Sequence, residues 1–218
     1  MRQPAIILAR VLGYIDVPEL HRGKVYFPDL IRELVERYKF QKFPQTLEES
    51  DLKKGIEFLD GISGKQPIQK FAIWDTLMVV ETLTDTDDSM AVLREILTWG
   101  VEKFGLASGP EAIKRFAYIS DLTFYCDRPI LDINPAIKTL TDQVNRNLSE
   151  IWKEPIVYEP IILRIGHDPL ARKNDIASFT IERRGGAGFS ENKYFSEAPL
   201  PTKTHIQLLK QLEKALTI

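Results

Sequence analysis

Apolar residues recur along this chain at two spacings, and together they mark most of its elements. Residues 71–82 read as one long strand. Phe71, Ile73, Leu77, Val79 and Leu83 share one parity, interrupted by Asp75, while Trp74, Met78 and Val80 take the other. Apolar groups on both parities predict a strand covered at least partly on both faces. The segment 85–88 is rich in capping residues, and Asp88 or Ser89 is expected to accept the first free amides of a helix over 89–104. Met90, Leu93, Leu97, Val101 and Phe104 step by three or four and predict one buried stripe. Gly105 is placed to end that helix in the left-handed conformation.

The same strand-then-helix spacing returns at 116–126 and 134–152. Asn134 is the expected cap, Pro135 the first helical residue, and Ile137, Leu140, Val144, Leu148 and Ile151 the inward stripe. Lys70-Phe71-Ala72 and Arg115-Phe116-Ala117 open the two strand-helix pairs 45 residues apart. They suggest either an internal repeat or a shared demand for apolar strand starts.

Weaker patterns supply the other elements. Residues 5–12 read as a strand and 13–24 as a polar loop, and Phe27-Pro28-Asp29 opens a helix carrying Leu30, Leu34 and Tyr38. A hairpin is expected over about 56–80, turning at Ser63-Gly64-Lys65. Strands follow at 157–165 and 176–183, then a glycine turn at 185–188. A terminal helix is capped by Thr202 or Thr204, with Leu208, Leu209, Leu212 and Leu216 inward. Several adjacent strands lack a helical crossover, so some pairs must be antiparallel. The expected fold is α+β, a mixed or largely antiparallel sheet with helices packed mainly on one face, forming a single domain over residues 1–218.

Composition narrows the function only slightly. The chain is 44% apolar and 28% charged, ordinary globular values. A formal charge of −2 gives no general attraction to nucleic acid or anionic membranes, although a local basic groove would average out of it. Cys126 is the only cysteine, so no intrachain disulfide forms, and its apolar strand predicts an inert buried thiol. The apolar run near the N-terminus is too short for a signal-peptide core, and no run approaches the roughly 18 residues of a membrane span. A cytoplasmic, reducing location with no membrane partner is the expectation.

Candidate chemistry is sparse. Arg183 and Arg184 precede Gly185 and Gly186, a pattern able to hold an anion through guanidinium forks and turn amides. Phe189, Tyr194 and Phe195 lie nearby and could stack on a base or seal a core edge. His167 and Asp168 follow a strand, where His167 could serve as a base or metal ligand, but a turn in which Asp168 bonds local backbone is the favoured reading. Asp75 and Asp121 interrupt apolar strands, and a buried carboxylate needs a partner. No phosphate-loop, dinucleotide or zinc signature is present, so the sequence designates neither a cofactor nor a metal site.

The leading expectation is a non-catalytic protein-binding or assembly component of a cytoplasmic complex. Its partner would be another protein or a second copy, met through Trp74, Phe189, Tyr194 and Phe195. Two alternatives remain. One is a metal-dependent phosphodiesterase, nuclease or nucleotide hydrolase joining Asp75 or Asp121 to Glu81, His167 or Arg183. The other is a nucleic-acid-binding module using Arg172, Lys173, Arg183, Arg184 and Lys193.

Overall fold

The computed structural model describes residues 1–46, 48–171 and 176–216. Its strands are β1 (Arg2–Tyr14), β2 (Ile56–Ser63), β3 (Gln66–Ile73), β4 (Leu77–Thr82), β5 (Arg115–Tyr125), β6 (Ile162–Ile165), β7 (Phe179–Arg183) and β8 (Lys193–Ala198). Its helices are α1 (Val17–His21), α2 (Phe27–Tyr38), α3 (Thr86–Phe104), α4 (Pro135–Trp152) and α5 (Thr202–Ala215). The fold is α+β and the strand pairs β1/β4, β2/β3, β3/β4, β6/β7 and β7/β8 are antiparallel. Two compact units emerge: Ile6–Ser120 with Leu200–Thr202, and Met1–Ala5, Asp121–Pro199 and Lys203–Ile218.

In the first unit the strand order is β2-β3-β4-β1, and its register explains its core. Val11 pairs with Val80, Val80 with Phe71, and Phe71 with Phe58, so four apolar side chains form one row across the sheet. Ile56, Ile73 and Met78 form the next row. Strand alternation sends both rows to one face, where Ile31, Leu34 and Tyr38 of α2 and Leu93, Ile96 and Leu97 of α3 cover them. The Phe58 and Phe71 rings stack with centroids 5.8 Å apart. Each fully buried side chain of this size contributes about 1.5–3 kcal/mol.

On the opposite face one row is charged, beside a row of Leu12, Val79 and Ala72. Arg10 pairs with Glu81 and Glu81 with Lys70 in register. Arg10 Nε donates to Glu81 Oε1 at 2.7 Å, and Lys70 Nζ lies 2.5 Å from Glu57 Oε1.

The second unit repeats the plan with the order β6-β7-β8-β5. Tyr194, Ser196 and Ala198 of β8 and Ile181 of β7 are buried. Leu209 of α5 is buried too, and the fully buried His205 meets the Phe179 ring at 5.4 Å. Ser196 Oγ donates to the Thr180 carbonyl and lies 2.8 Å from His205 Nε2. Both units therefore run strand, long helix, three strands, helix, with the short α1 added before α2 in the first. Shifted by 116 residues, Glu81, Thr86 and Leu93 fall on Glu197, Thr202 and Leu209. The 45-residue offset of the Phe-Ala triplets does not correspond to this plan, because it matches a third-position strand, β3, with a first-position one, β5.

Several boundaries depart from the sequence reading. The run 71–82 is two strands joined at Trp74-Asp75-Thr76, a turn with no glycine or proline to announce it. Residues 17–21 form a short helix, α1, because the Asp16 side chain accepts the Glu19 amide at 3.0 Å and Val17 and Leu20 are buried. Strand β8 was hidden because its inward residues, Tyr194, Ser196 and Ala198, are only partly apolar. Helix α3 begins one turn early, capped by Asp85, and its Val101 faces solvent beside the buried Val92, Leu93, Ile96 and Leu97. Gly105 ends it at φ 64° as expected. In α5, Leu208 is exposed while Leu209 is buried.

The largest departure concerns α4. The helix has the expected bounds and the Asn134 cap, yet none of its residues is buried. Ile137, Leu140 and Ile151 are exposed, and Val144 and Leu148 only half-buried.

Two outcomes follow for the first unit. Gly55 sits at φ +91°, and a Cβ there would lie 2.3 Å from Trp74 Nε1. Gly55→Ala is expected to cost about 2–4 kcal/mol in urea unfolding, through both positive φ and ring displacement. Tyr38 donates to Glu95, which also receives Arg37. Burial first, then that bond, raises the Tyr38 pKa above its usual value of 10.0. The contribution is complete below about pH 10 and is lost as pH rises further, since the unfolded chain ionises first. Tyr38→Phe should flatten the loss of stability above pH 10, measured by urea midpoints across the alkaline range.

Candidate functional site

Strand alternation decides the fate of the paired arginines. Arg183 ends β7 with its side chain turned inward and only 7% exposed, while the next residue, Arg184, is exposed. The Arg183 guanidinium pairs with Glu159, donates to the Phe189 carbonyl at 3.0 Å, and lies 4.7 Å from the Phe189 ring centroid and 5.4 Å from that of Tyr194. Its Nε has no hydrogen-bond partner. Arg184 instead lies over the Phe195 ring at 5.9 Å. Gly185 and Gly186 form the turn, with Gly186 at φ +80°. The two guanidinium groups thus serve different surroundings rather than one anion cradle.

Arg183 forms one wall of a cleft of about 280 Å³ in the second unit, lined also by Asp132, Lys138, Asp142, Asn145 and Glu159. Most of these groups are committed to one another. Lys138 Nζ lies 3.8 Å from Asp132 Oδ2. The Asn145 side chain both donates to the Tyr158 carbonyl and accepts the Tyr158 amide. Ser149 Oγ accepts the Ile156 amide at 2.9 Å. The cleft is therefore the polar seam that fastens α4 to the segment returning toward β6.

The remaining candidates lie apart in role. Asp75 sits half-buried in the β3–β4 turn, where its carbonyl accepts the Val17 amide at 2.9 Å. Asp121 is half-buried in β5. His167 and Asp168 are exposed after β6, and Asp168 Oδ1 accepts the Leu170 amide at 2.9 Å, a local turn. Glu81 is held by Arg10. Among the described residues, no group of three or more His, Cys, Asp or Glu is placed to hold a metal ion. Arg172 and Lys173 lie outside the described residues. In the first unit, a cavity of about 50 Å³ lined by Val17, Leu20, Leu34, Met78 and Trp99 is far smaller than the roughly 300–1,000 Å³ of a ligand pocket.

The aromatic residues expected at an interface are mostly occupied. Tyr194 is fully buried, and its hydroxyl accepts the Ile130 amide at 3.2 Å. Burial raises its pKa, against the lowering effect of Arg183. Phe189 and Phe195 are half-buried under the two arginines. Trp74 is half-buried against Gly55, with Lys70 Nζ 5.9 Å from its ring. Cys126 is buried and its thiol pKa is pushed up to about 11 by burial.

The surface that does stand open lies elsewhere, around Trp152 at the margin of the α4 stripe. Among the described residues, half of the eighteen exposed large apolar side chains lie between Ile137 and Ile165. Leu140 is 60% exposed, Ile151 71% and Trp152 66%, and Val157, Ile161 and Ile165 continue the set. Ile162 and Ile165 have opposite parity in β6, so the nine side chains do not all share one face, and the exposed groups of α4 itself are Ile137, Leu140, Ile151 and Trp152. The sequence signal was present, since Trp152 lies at the margin of the α4 stripe, but periodicity cannot say whether a stripe faces a core or a partner. Among the described residues, no helix is long and apolar enough to cross a membrane.

The chain matches no known family model, and no curated protein matches it significantly.

The roles of the two arginines are separable by stability. Arg183→Met strands the half-buried Glu159 and is expected to cost about 2–4 kcal/mol. Arg184→Ala should stay within about 0.5 kcal/mol. Urea denaturation of both variants provides the comparison.

Proposed function

We propose that this protein is a non-catalytic binding or assembly component that docks a protein partner through the apolar side of α4 and the segment 157–165. The observation that carries this reading is a well-formed amphipathic helix with none of its stripe buried and with Ile137, Leu140 and Ile151 exposed. The helix is held by its polar edge, through Asn145 and Ser149, which leaves the apolar edge available. An exposed tryptophan at its end adds a side chain that buries much area with little loss of rotamer freedom. A cytoplasmic, reducing setting suits a chain whose lone cysteine is buried with a raised thiol pKa.

Site-specific photo-crosslinking tests the reading. A benzophenone side chain at Leu140 or Ile151 in the full chain, activated in cells, is expected to yield discrete protein adducts. The same group at Arg184, outside the apolar surface, should not give those adducts. Equal labelling at all three positions, or no protein adduct at Leu140 and Ile151, would reject it.

A further inference from the structure

We draw no further inference here: the strongest candidate, the cleft that Arg183, Glu159, Asp132 and Lys138 line in the second unit, belongs to the polar seam already described, where Arg183 pairs with Glu159 and Lys138 with Asp132, and its unpartnered nitrogen, Arg183 Nε, is closed off from water and so from a ligand.

Discussion

The two-residue period of a strand is the constraint on which the rest of this structure depends. In the first unit it gathers Val11, Val80, Phe71 and Phe58 into one row and turns Arg10, Glu81 and Lys70 to the opposite face. A slip of one residue would exchange those faces, bringing charge under α2 and α3 and oil into water. The helices are positioned by what the row offers them. Their buried residues belong to the same cluster as Phe58 and Phe71, and the ring contacts among Tyr38, Phe40 and Trp99 close its edge. The same alternation separates Arg183 from Arg184 in the second unit. A sequence pair that looks like one anion site becomes one buried ion pair and one surface cation.

The two units spend the same plan differently. Each has a strand, a long helix, a three-strand run and a closing helix, but the apolar stripe of α2 has buried residues and that of α4 has none. The reason lies in the strands. Eight residues in β2 and eight in β3 give α2 a broad apolar floor, whereas β6 and β7 have four and five. The polar groups of α4 meanwhile bind the returning backbone. The helix is thereby oriented with its apolar edge outward, an arrangement that water alone does not favour and that association with another apolar surface does.

The candidate chemistry is legible in a different way from the fold. Asp75, Asp168 and Glu81 each caught attention as polar residues in or beside apolar runs. In the structure each sits in a structural contact: the Asp75 main-chain carbonyl accepts the Val17 amide, Asp168 closes a local turn, and Glu81 pairs with Arg10 across the sheet. Residue type and position along the chain do not specify whether such a group answers a structural demand or forms part of a reacting set. Tyr194 illustrates the same limit, because aromatic content near a glycine turn is equally compatible with a stacking surface and with the core position it occupies.

From the sequence alone came the α+β class, antiparallel pairing, the Asn134 cap with the span of α4, and the Gly105 stop of α3. These are set by short-range rules of periodicity, capping and backbone conformation, which act within a few residues. Tertiary structure alone decided that 71–82 turns at Asp75, that Tyr194, Ser196 and Ala198 form an inward strand face, and that the stripe of α4 is open. Those outcomes depend on which distant segments are long enough to cover a given face. Burial is a property of two surfaces, and one helix written out in sequence shows only one of them.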